Sequence, residues 1–202
     1  MSVKIKINLE ERLLNSGRVI VEVGAGLTRR VPSAITIDQL DFETIDIVAN
    51  INEGIGFLPN ESVDEFHSTH VLEHVSNFEQ LMREMHRTLK KGGKICGTVP
   101  HFANPYFYSD YTHSSFFGLY TFCYFSKQDY FKRKVPPFYN DFYFEIISID
   151  LEFKSEFLFR KPFKKGIQLI FNSCRFMKEL HESMFCYIIP AYQIRFDLRK
   201  IM

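Results

Sequence analysis

Residues 19–26 have the composition of a turn that holds a cofactor. Residues 19–23 are mostly β-branched, which predicts a strand buried on both faces of a parallel sheet. Gly24 and Gly26 follow, and glycine lets the backbone turn sharply and approach a ligand without a Cβ in the way. Glu22 adds a carboxylate beside the turn, where it could hold a cationic or hydroxyl-bearing ligand. These residue types indicate a site for a cofactor of nucleotide type.

The spacing after this turn argues against a dinucleotide. A dinucleotide-binding unit needs a full helix after the turn, a third glycine and an acid about 20 residues further on. Here Arg29 stands where the third glycine would be. The stretch from Gly26 to Asp38 is short and contains Pro32, which leaves room for at most a truncated helix.

Two histidines are candidates for acid–base chemistry. His101 follows the fifth predicted strand and His113 lies in an aromatic segment, and a near-neutral pKa suits the removal of a proton from a hydroxyl or an amine. For each, the alternative is a histidine that only holds its loop by a hydrogen bond. His70 and His74 have the spacing of half a metal site, but no further ligand pattern accompanies them, so we expect no metal. The other histidines singled out are expected to be structural or solvated: His67, His86 and His181.

Alternating strands and helices in the front half must position these residues. Further strands are predicted at 34–38, 46–49, 62–69 and 94–99. Between the last two, a helix is indicated by apolar residues on one face, by a capping box of Ser76 and Glu79, and by Gly92 as a stop signal. This order implies right-handed crossovers and a parallel sheet.

The rear half is less regular. Residues 100–140 predict a long functional loop region with short helices, 142–153 a strand, 165–184 one or two helices, and 192–201 a closing strand. A strand pair after a parallel array fits an antiparallel edge. We expect one domain over residues 1–202, with a cofactor-binding half (1–101) and a substrate-side half (102–202).

Composition bounds the class of protein. A chain of 202 residues can bury roughly 70% of its unfolded surface. It has no apolar run of the ~20 residues that a membrane span needs, and its first residues lack a signal-peptide core. Its four scattered cysteines indicate reduced thiols, so we expect a cytoplasmic protein.

Four segments together resemble a known family. Residues 22–26, Asp38, residues 64–74 and residues 89–93 occur in the order seen in class I S-adenosylmethionine-dependent methyltransferases, and the chain is similar to the methyltransferase type 11 group within them. The likeness is dense over residues 18–101 and weaker beyond. It implies an α/β fold: a Rossmann-like, mostly parallel seven-stranded sheet with helices on both faces and an antiparallel strand near the C-terminal edge.

The resemblance also implies S-adenosylmethionine as cofactor. Because this molecule has no phosphate, a phosphate cradle is unnecessary. By resemblance, Asp38 would accept hydrogen bonds from the two ribose hydroxyls. The implied cofactor-binding set is Glu22, Gly24, Ala25 and Gly26 at the methionine part, Asn50 and Ile51 at the adenine, and Thr69 and His70 at the methionine again. Asn50 departs from the usual acid, and its side-chain oxygen can accept a bond from the adenine amino group only without charge assistance.

On the substrate side, the resemblance supports His101 and His113 as candidates for general base. A pocket of hydrogen-bonding groups would receive the methyl acceptor, formed by Tyr106, Tyr108, Asp110 and Tyr111. The implied function is methyl transfer to a small molecule, with O-methylation of a sugar or glycan precursor favoured.

Three alternatives stay open. The chain could be a methyltransferase-like module that binds cofactor without catalysis. Basic segments at 132–134 and 160–165 suggest a nucleic-acid methyltransferase, but we do not expect one, because the Asn/Asp-Pro-Pro-Tyr/Phe sequence is missing and the net charge is only +1. Residues 157–189 could touch a membrane peripherally, although a buried helix pair covering the sheet is the more ordinary explanation.

Overall fold

Eight strands form one sheet in the computed structural model of the chain, which describes residues 3–155 and 161–201. Within these residues no helix is both long and apolar enough to cross a membrane. The strands are β1 (Lys4–Ile5), β2 (Ile20–Val23), β3 (Ile35–Asp38), β4 (Ile47–Val48), β5 (Val63–Thr69), β6 (Leu89–Pro100), β7 (Phe144–Glu152) and β8 (Gln193–Lys200). The helices are α1 (Leu9–Asn15), α2 (Phe78–Thr88), α3 (Lys161–Phe171) and α4 (Arg175–Leu180).

The strand order is β1-β4-β3-β2-β5-β6-β8-β7. The five strands from β4 to β6 are parallel, and β8 runs antiparallel between β6 and β7, which confirms the predicted antiparallel strand near the C-terminal edge. The predicted count of seven is short by one. The extra strand, β1, pairs antiparallel with β4 at the opposite edge. It was missed because it has only two residues, both exposed, and so lacks the alternation of apolar and polar residues that marks a strand in a sequence.

The middle of the sheet is buried on both faces, as the β-branched composition of β2 predicts. Val21 and Val23 point to one face and Glu22 to the other, and all three are almost fully buried. Beside them on β5, Phe66 is paired with Val21 in the parallel ladder. Across the sheet, many of the 22 phenylalanines fill the core, as where the rings of Phe122 and Phe196 stack at 4.0 Å.

The start and end of α2 correct two predictions. The helix is capped by Asn77, whose side-chain oxygen accepts a hydrogen bond from the Gln80 amide, and not by Ser76. The Ser76 hydroxyl instead donates to Asn52 Oδ1 at 2.9 Å. The helix ends at Thr88, and β6 begins immediately, so Gly92 lies at a turn inside the strand segment rather than at a helix stop.

The connections in the front half are mostly loops. Residues 27–34, between β2 and β3, and residues 39–46, between β3 and β4, contain no helix, so helices accompany the parallel strands less fully than the resemblance implies. Residues 101–143 are irregular, with short 3-10 helices at Phe107–Ser109 and Thr121–Phe125. The predicted helical stretch becomes α3, α4 and a π-helical turn at His181–Phe185.

Candidate functional site

A cleft lies at the carboxyl ends of β2, β3 and β5, where open parallel sheets bind ligands. Its volume is about 230 Å³. Its walls come from four short segments of the chain: Gly24; Ile37, Asp38 and Gln39; Ala49, Asn50, Ile51 and Asn52; and His70, Val71, His74 and Val75. Five of the residues predicted to bind the cofactor line this cleft, namely Gly24, Asp38, Asn50, Ile51 and His70.

Gly24 is the tightest point of the cleft. Its φ is +67°, a left-handed conformation that favours glycine, and a Cβ at this position would lie 2.0 Å from Val71 Cγ2. The Gly24 amide donates a 2.7 Å hydrogen bond to the Ile37 carbonyl, which fixes the end of β2 to the end of β3. Only glycine therefore fits between these strand ends and the chain that follows β5.

Asp38 holds the glycine turn in place. Its Oδ2 accepts a hydrogen bond from the Gly26 amide at 3.0 Å, and its Oδ1 accepts one from the Leu40 amide at 2.9 Å. A carboxylate has about four acceptor positions, so two remain for a ligand in the cleft. The hydrogen bonds from ribose hydroxyls to Asp38 stay a prediction, and the carboxylate has enough unused acceptor positions to form them.

Asn50 has its side-chain oxygen engaged within its own turn. Asn50 Oδ1 accepts hydrogen bonds from the Asn52 amide and from Asn52 Nδ2, at 3.1 and 3.2 Å. Asn52 in turn accepts from the Ser76 amide and hydroxyl, so this network ties the turn to the start of α2. Ile51 contributes a half-buried apolar side chain to the same wall. An adenine amino group would therefore have to donate to an Asn50 oxygen that already accepts two hydrogen bonds.

Four residues predicted at the cofactor lie outside the cleft lining. Glu22 is buried, and its carboxylate accepts hydrogen bonds from the amides of Arg30 and Val31. It thereby fastens the loop that stands in place of a first helix. Ala25 packs against Phe42, Ile45 and Val48, while Gly26 and Thr69 lie beside the cleft without lining it. Direct contact of these four with a cofactor stays a prediction.

His70 stands at the end of the cleft in a strained conformation. It follows β5 with φ +53°, which costs a non-glycine residue on the order of 1–3 kcal/mol and recurs at functional sites. Its Nδ1 lies 3.3 Å from Glu73 Oε1 and its Nε2 lies 2.8 Å from Gln193 Oε1. The hydrogen bond with Glu73 raises the pKa of His70, burial opposes that shift, and Gln193 adds to it.

A second pocket of about 210 Å³ adjoins the cleft. The two share His70 and His74 in their walls. The remaining walls of this second pocket come from the loop region and the approach to β8: Glu73, Pro100, Asn104, Tyr106, Phe107, Asp110, His113 and Tyr192. The molecule thus has two adjoining compartments, and His70 and His74 lie at the boundary between them.

His113, Asp110 and Tyr106 line the second pocket, and their predicted place on a substrate side stays a prediction. His113 Nδ1 lies 2.8 Å from the Phe107 carbonyl, and its Nε2 is 3.6 Å from Asp110 Oδ2. Asp110 accepts hydrogen bonds from the Thr112 hydroxyl and amide, which lower its pKa. Whether His113 acts as a base stays a prediction.

The surroundings of His101 count against its predicted role as a base. Its side chain is fully buried, Nδ1 accepts a hydrogen bond from the Ala103 amide at 3.1 Å, and Nε2 lies 2.8 Å from Glu182 Oε2. Glu182 also accepts a bond from the Leu119 amide, so the pair ties the π-helical turn to the loop region. With both nitrogens hydrogen-bonded and no exposure, His101 is placed to hold the loop region, and we expect a structural role for it.

Two of the predicted tyrosines also lie elsewhere. Tyr108 packs edge-on against Phe107 and does not line the pocket, and Tyr111 is 96% exposed. Neither forms the acceptor pocket in this conformation. Sequence reasoning did not assign six lining residues of the second pocket to a site: Glu73, His74, Pro100, Asn104, Phe107 and Tyr192. Glu73 and His74 lie in the motif at 64–74, so their position after β5 was the available signal.

Known proteins share this architecture. The family described as "Methyltransferase domain" matches residues 25–97, about a third of the chain, which carries the cleft. No curated protein matches the sequence. A crystal structure of a SAM-dependent methyltransferase from Archaeoglobus fulgidus is similar with TM-score 0.59 at 14% identity, covering 91% of this chain and 86% of that one.

Two further structures agree. An S-adenosylmethionine-dependent methyltransferase from Mesorhizobium loti has TM-score 0.54 at 14% identity, with 92% of each chain covered. Phosphoethanolamine N-methyltransferase 2 of Haemonchus contortus, solved with S-adenosyl-L-methionine, has TM-score 0.52 at 14% identity, covering 96% of this chain and 51% of that one. The family match over residues 25–97 and the fold shared with these solved structures agree with the resemblance to class I S-adenosylmethionine-dependent methyltransferases.

The residues of the cleft fit S-adenosylmethionine, the cofactor that the resemblance implies. Val71 occupies the side of Gly24 on which a Cβ would lie, so the glycine turns tightly there and its backbone lines the cleft. No helix begins after Gly26, and a cofactor without phosphates does not need one. Bound in the cleft, the cofactor supplies an activated methyl group on its sulfonium.

Proposed function

We propose that this methyltransferase transfers a methyl group from S-adenosylmethionine to a hydroxyl oxygen of a small molecule, with a sugar or glycan precursor as the first acceptor class to test. The observation that carries the proposal is the pair of adjoining compartments. The cofactor cleft and the second pocket share only His70 and His74, so a methyl group at this boundary would face an acceptor in the second pocket.

The proposed reaction is an in-line displacement. The acceptor oxygen attacks the methyl carbon, a new O–C bond forms, and the S–C bond breaks with its electron pair left on sulfur. The acceptor proton leaves to a base or to solvent, and S-adenosylhomocysteine is the second product. Because the methyl group is already activated, the protein's contribution is to align the acceptor and to exclude water.

The lining of the second pocket supports a polar acceptor. Asp110, His113 and Tyr106 offer donors and acceptors, and a volume of about 210 Å³ suits a small molecule. Phe107 and Tyr192 add apolar surface to the same lining, which suits the carbon skeleton of an acceptor such as a sugar. We therefore favour a hydroxylated small molecule over a macromolecule.

Nucleic-acid methylation is less well supported. In the basic segment at 132–134, Lys134 pairs with Asp129 and Arg133 lies over the Tyr120 ring at 4.8 Å, so both cations already have partners. In the second basic segment Arg160 lies outside the described residues, as do residues 157–160 of the segment considered for membrane contact.

The cofactor site is tested by calorimetry with S-adenosylhomocysteine. Replacing Asp38 by Ala removes the proposed ribose acceptor, and we expect affinity to fall at least about tenfold, or 1.4 kcal/mol. Asp41→Ala is the matched control, since Asp41 pairs with Lys4 and Lys6 and does not line the cleft. Equal affinity of the wild type and Asp38→Ala would contradict the assignment of Asp38.

The acceptor class is tested by turnover. A panel of sugars, nucleotide sugars, phenols, amines and RNA is assayed for release of S-adenosylhomocysteine. We expect hydroxylated small molecules to react, and methyl transfer confined to amines or RNA would overturn O-methylation. Cofactor bound without turnover across the panel would favour the module that has lost catalysis.

A further inference from the structure

Three potential metal ligands converge on the wall of the second pocket. One ligand atom each from Glu73, His74 and His113 lies within 4.8 Å of the others. Glu73 and His74 lie just after β5, whereas His113 comes from the loop region 39 positions after His74 in the sequence. The sequence shows only the first part of this cluster, which is why we expected no metal from the sequence alone.

On both histidines Nδ1 is hydrogen-bonded and Nε2 is not, although His113 Nε2 lies 3.6 Å from Asp110 Oδ2. The Phe107 carbonyl can only accept, so His113 Nδ1 carries the proton and donates at 2.8 Å. The Thr112 hydroxyl donates its proton to Asp110 Oδ1 at 2.6 Å, so its oxygen accepts from His74 Nδ1 at 2.9 Å. Each neutral ring then presents the lone pair of Nε2, as metal-bound histidines do when Nδ1 is held by a carbonyl or hydroxyl.

Glu73, the third member of the cluster, has a buried carboxylate oxygen without a hydrogen-bond partner in the described part of the chain. The residue is 1% exposed, and Oε1 faces His70 Nδ1 while Oε2 has no hydrogen-bond partner among the described residues. A buried carboxylate oxygen without a partner is costly, so such an oxygen points to an absent ligand. The backbone carbonyl of Glu73 accepts the amides of Ser114 and Ser115, which fixes Glu73 against the segment that carries His113.

We propose that Glu73, His74 and His113 bind one divalent transition-metal ion of the zinc type at the acceptor pocket. Two imidazoles and one carboxylate are a zinc ligand set that leaves a coordination position open, and imidazole favours Zn²⁺ or Co²⁺ over Mg²⁺. All three ligands line the second pocket, so an acceptor oxygen bound there would take the open position and lose its proton more readily. This role rests on the proposed function, and it changes His113 from a base to a ligand.

The test uses the full chain, freed of metal with a chelator and titrated with Zn²⁺ by calorimetry and with Co²⁺ by visible absorption. We expect one ion per chain. Glu73→Gln and His113→Gln should each weaken binding at least tenfold, and His67→Gln, a matched histidine on β5 outside the pocket, should leave it unchanged. Each variant is first shown to be folded by its thermal melt, and His74→Gln replaces any that is not.

Two outcomes overturn the metal site: absence of stoichiometric binding by the wild type, or equal affinity of the wild type, Glu73→Gln and His113→Gln. Binding of S-adenosylhomocysteine is measured on the same samples. Cofactor binding without metal binding rejects this inference alone. Metal binding without turnover of any acceptor supports the site and counts against the proposed function instead.

Discussion

The cofactor cleft and the acceptor pocket are built by different means. The cleft takes its walls from strand ends and the short segments after them, and its decisive contacts involve backbone, such as Gly24 under Val71 and the Gly26 amide on Asp38. The acceptor pocket takes most of its walls from loop segments joined by side-chain hydrogen bonds, such as His113 on Phe107. Backbone geometry therefore defines the donor side, while side chains far apart in sequence define the acceptor side.

If backbone space defines the cleft, Gly24→Ala should have the largest effect. A Cβ would lie 2.0 Å from Val71 Cγ2 at a positive φ, so we expect the free energy of unfolding to fall by about 2–5 kcal/mol and cofactor binding to be lost. Gly26→Ala is the control. It has φ +58° but open space at Cβ, so it should cost about 1–2 kcal/mol. Denaturant unfolding measures both, and equal costs would show that the contact with Val71 is unimportant.

The acceptor side is tested by comparing two histidines. His101→Ala should lower the free energy of unfolding by about 3 kcal/mol, because it removes a buried histidine and leaves Glu182 without its partner. His113→Gln keeps a donor for the Phe107 carbonyl, so stability should change by at most about 1 kcal/mol. Turnover with the identified acceptor should fall about 10²-fold or more in this variant.

The reverse pattern would contradict the division between a structural and a functional histidine. A stable, inactive His101→Ala would return His101 to the site. A fully active His113→Gln would remove His113 from it, whether as base or as ligand.

The next largest effect is that of acid, which should lower the free energy of unfolding through two histidines, the buried His181 and the half-buried His86. Burial lowers the pKa of His181, helped by His101 and opposed by the Ile189 carbonyl and Glu182, and burial also lowers the pKa of His86. Each folded-state pKa lies below the unfolded value near 6.5, so the unfolded chain binds more protons and stability falls as the pH drops below about 6.5. Urea unfolding at pH 8, 6.5 and 5 measures this, and the dependence should flatten in His181→Phe.

The smallest expected effect is a difference in thiol reactivity between the exposed cysteine and the others. Burial raises the pKa of Cys96 and of Cys123 to about 12, so neither forms a thiolate near neutral pH. Cys174 is exposed and should react first with a disulfide reagent in the native state. Fast reaction of Cys174→Ser with the same reagent would show that the interior opens more readily than its packing implies.

Much of the cleft could be predicted because the end of a strand is marked by the residues next to it in the sequence. A β-branched run followed by glycines, and acids that end strands, place Gly24 and Asp38 without knowledge of the rest. The helix cap was missed by one position because Ser76 and Asn77 are both good caps, and Asn52 engages the Ser76 hydroxyl.

The acceptor pocket could be predicted only in part, since its geometry depends on distant partners. His101 is buried by Glu182, 81 residues away, and nothing beside His101 in the sequence indicates that contact. His113 meets Glu73 and His74 only after the loop folds over β5. Loop conformation, unlike strand periodicity, leaves no regular pattern in the sequence.

The most direct test is a crystal structure of the chain with S-adenosylhomocysteine. The cofactor should lie in the cleft with its ribose at Asp38, its methionine part at Gly24, and its sulfur beside His70 facing the second pocket. A cofactor bound elsewhere, or a sulfur directed away from the boundary formed by His70 and His74, would contradict the claim that the two compartments meet there for methyl transfer.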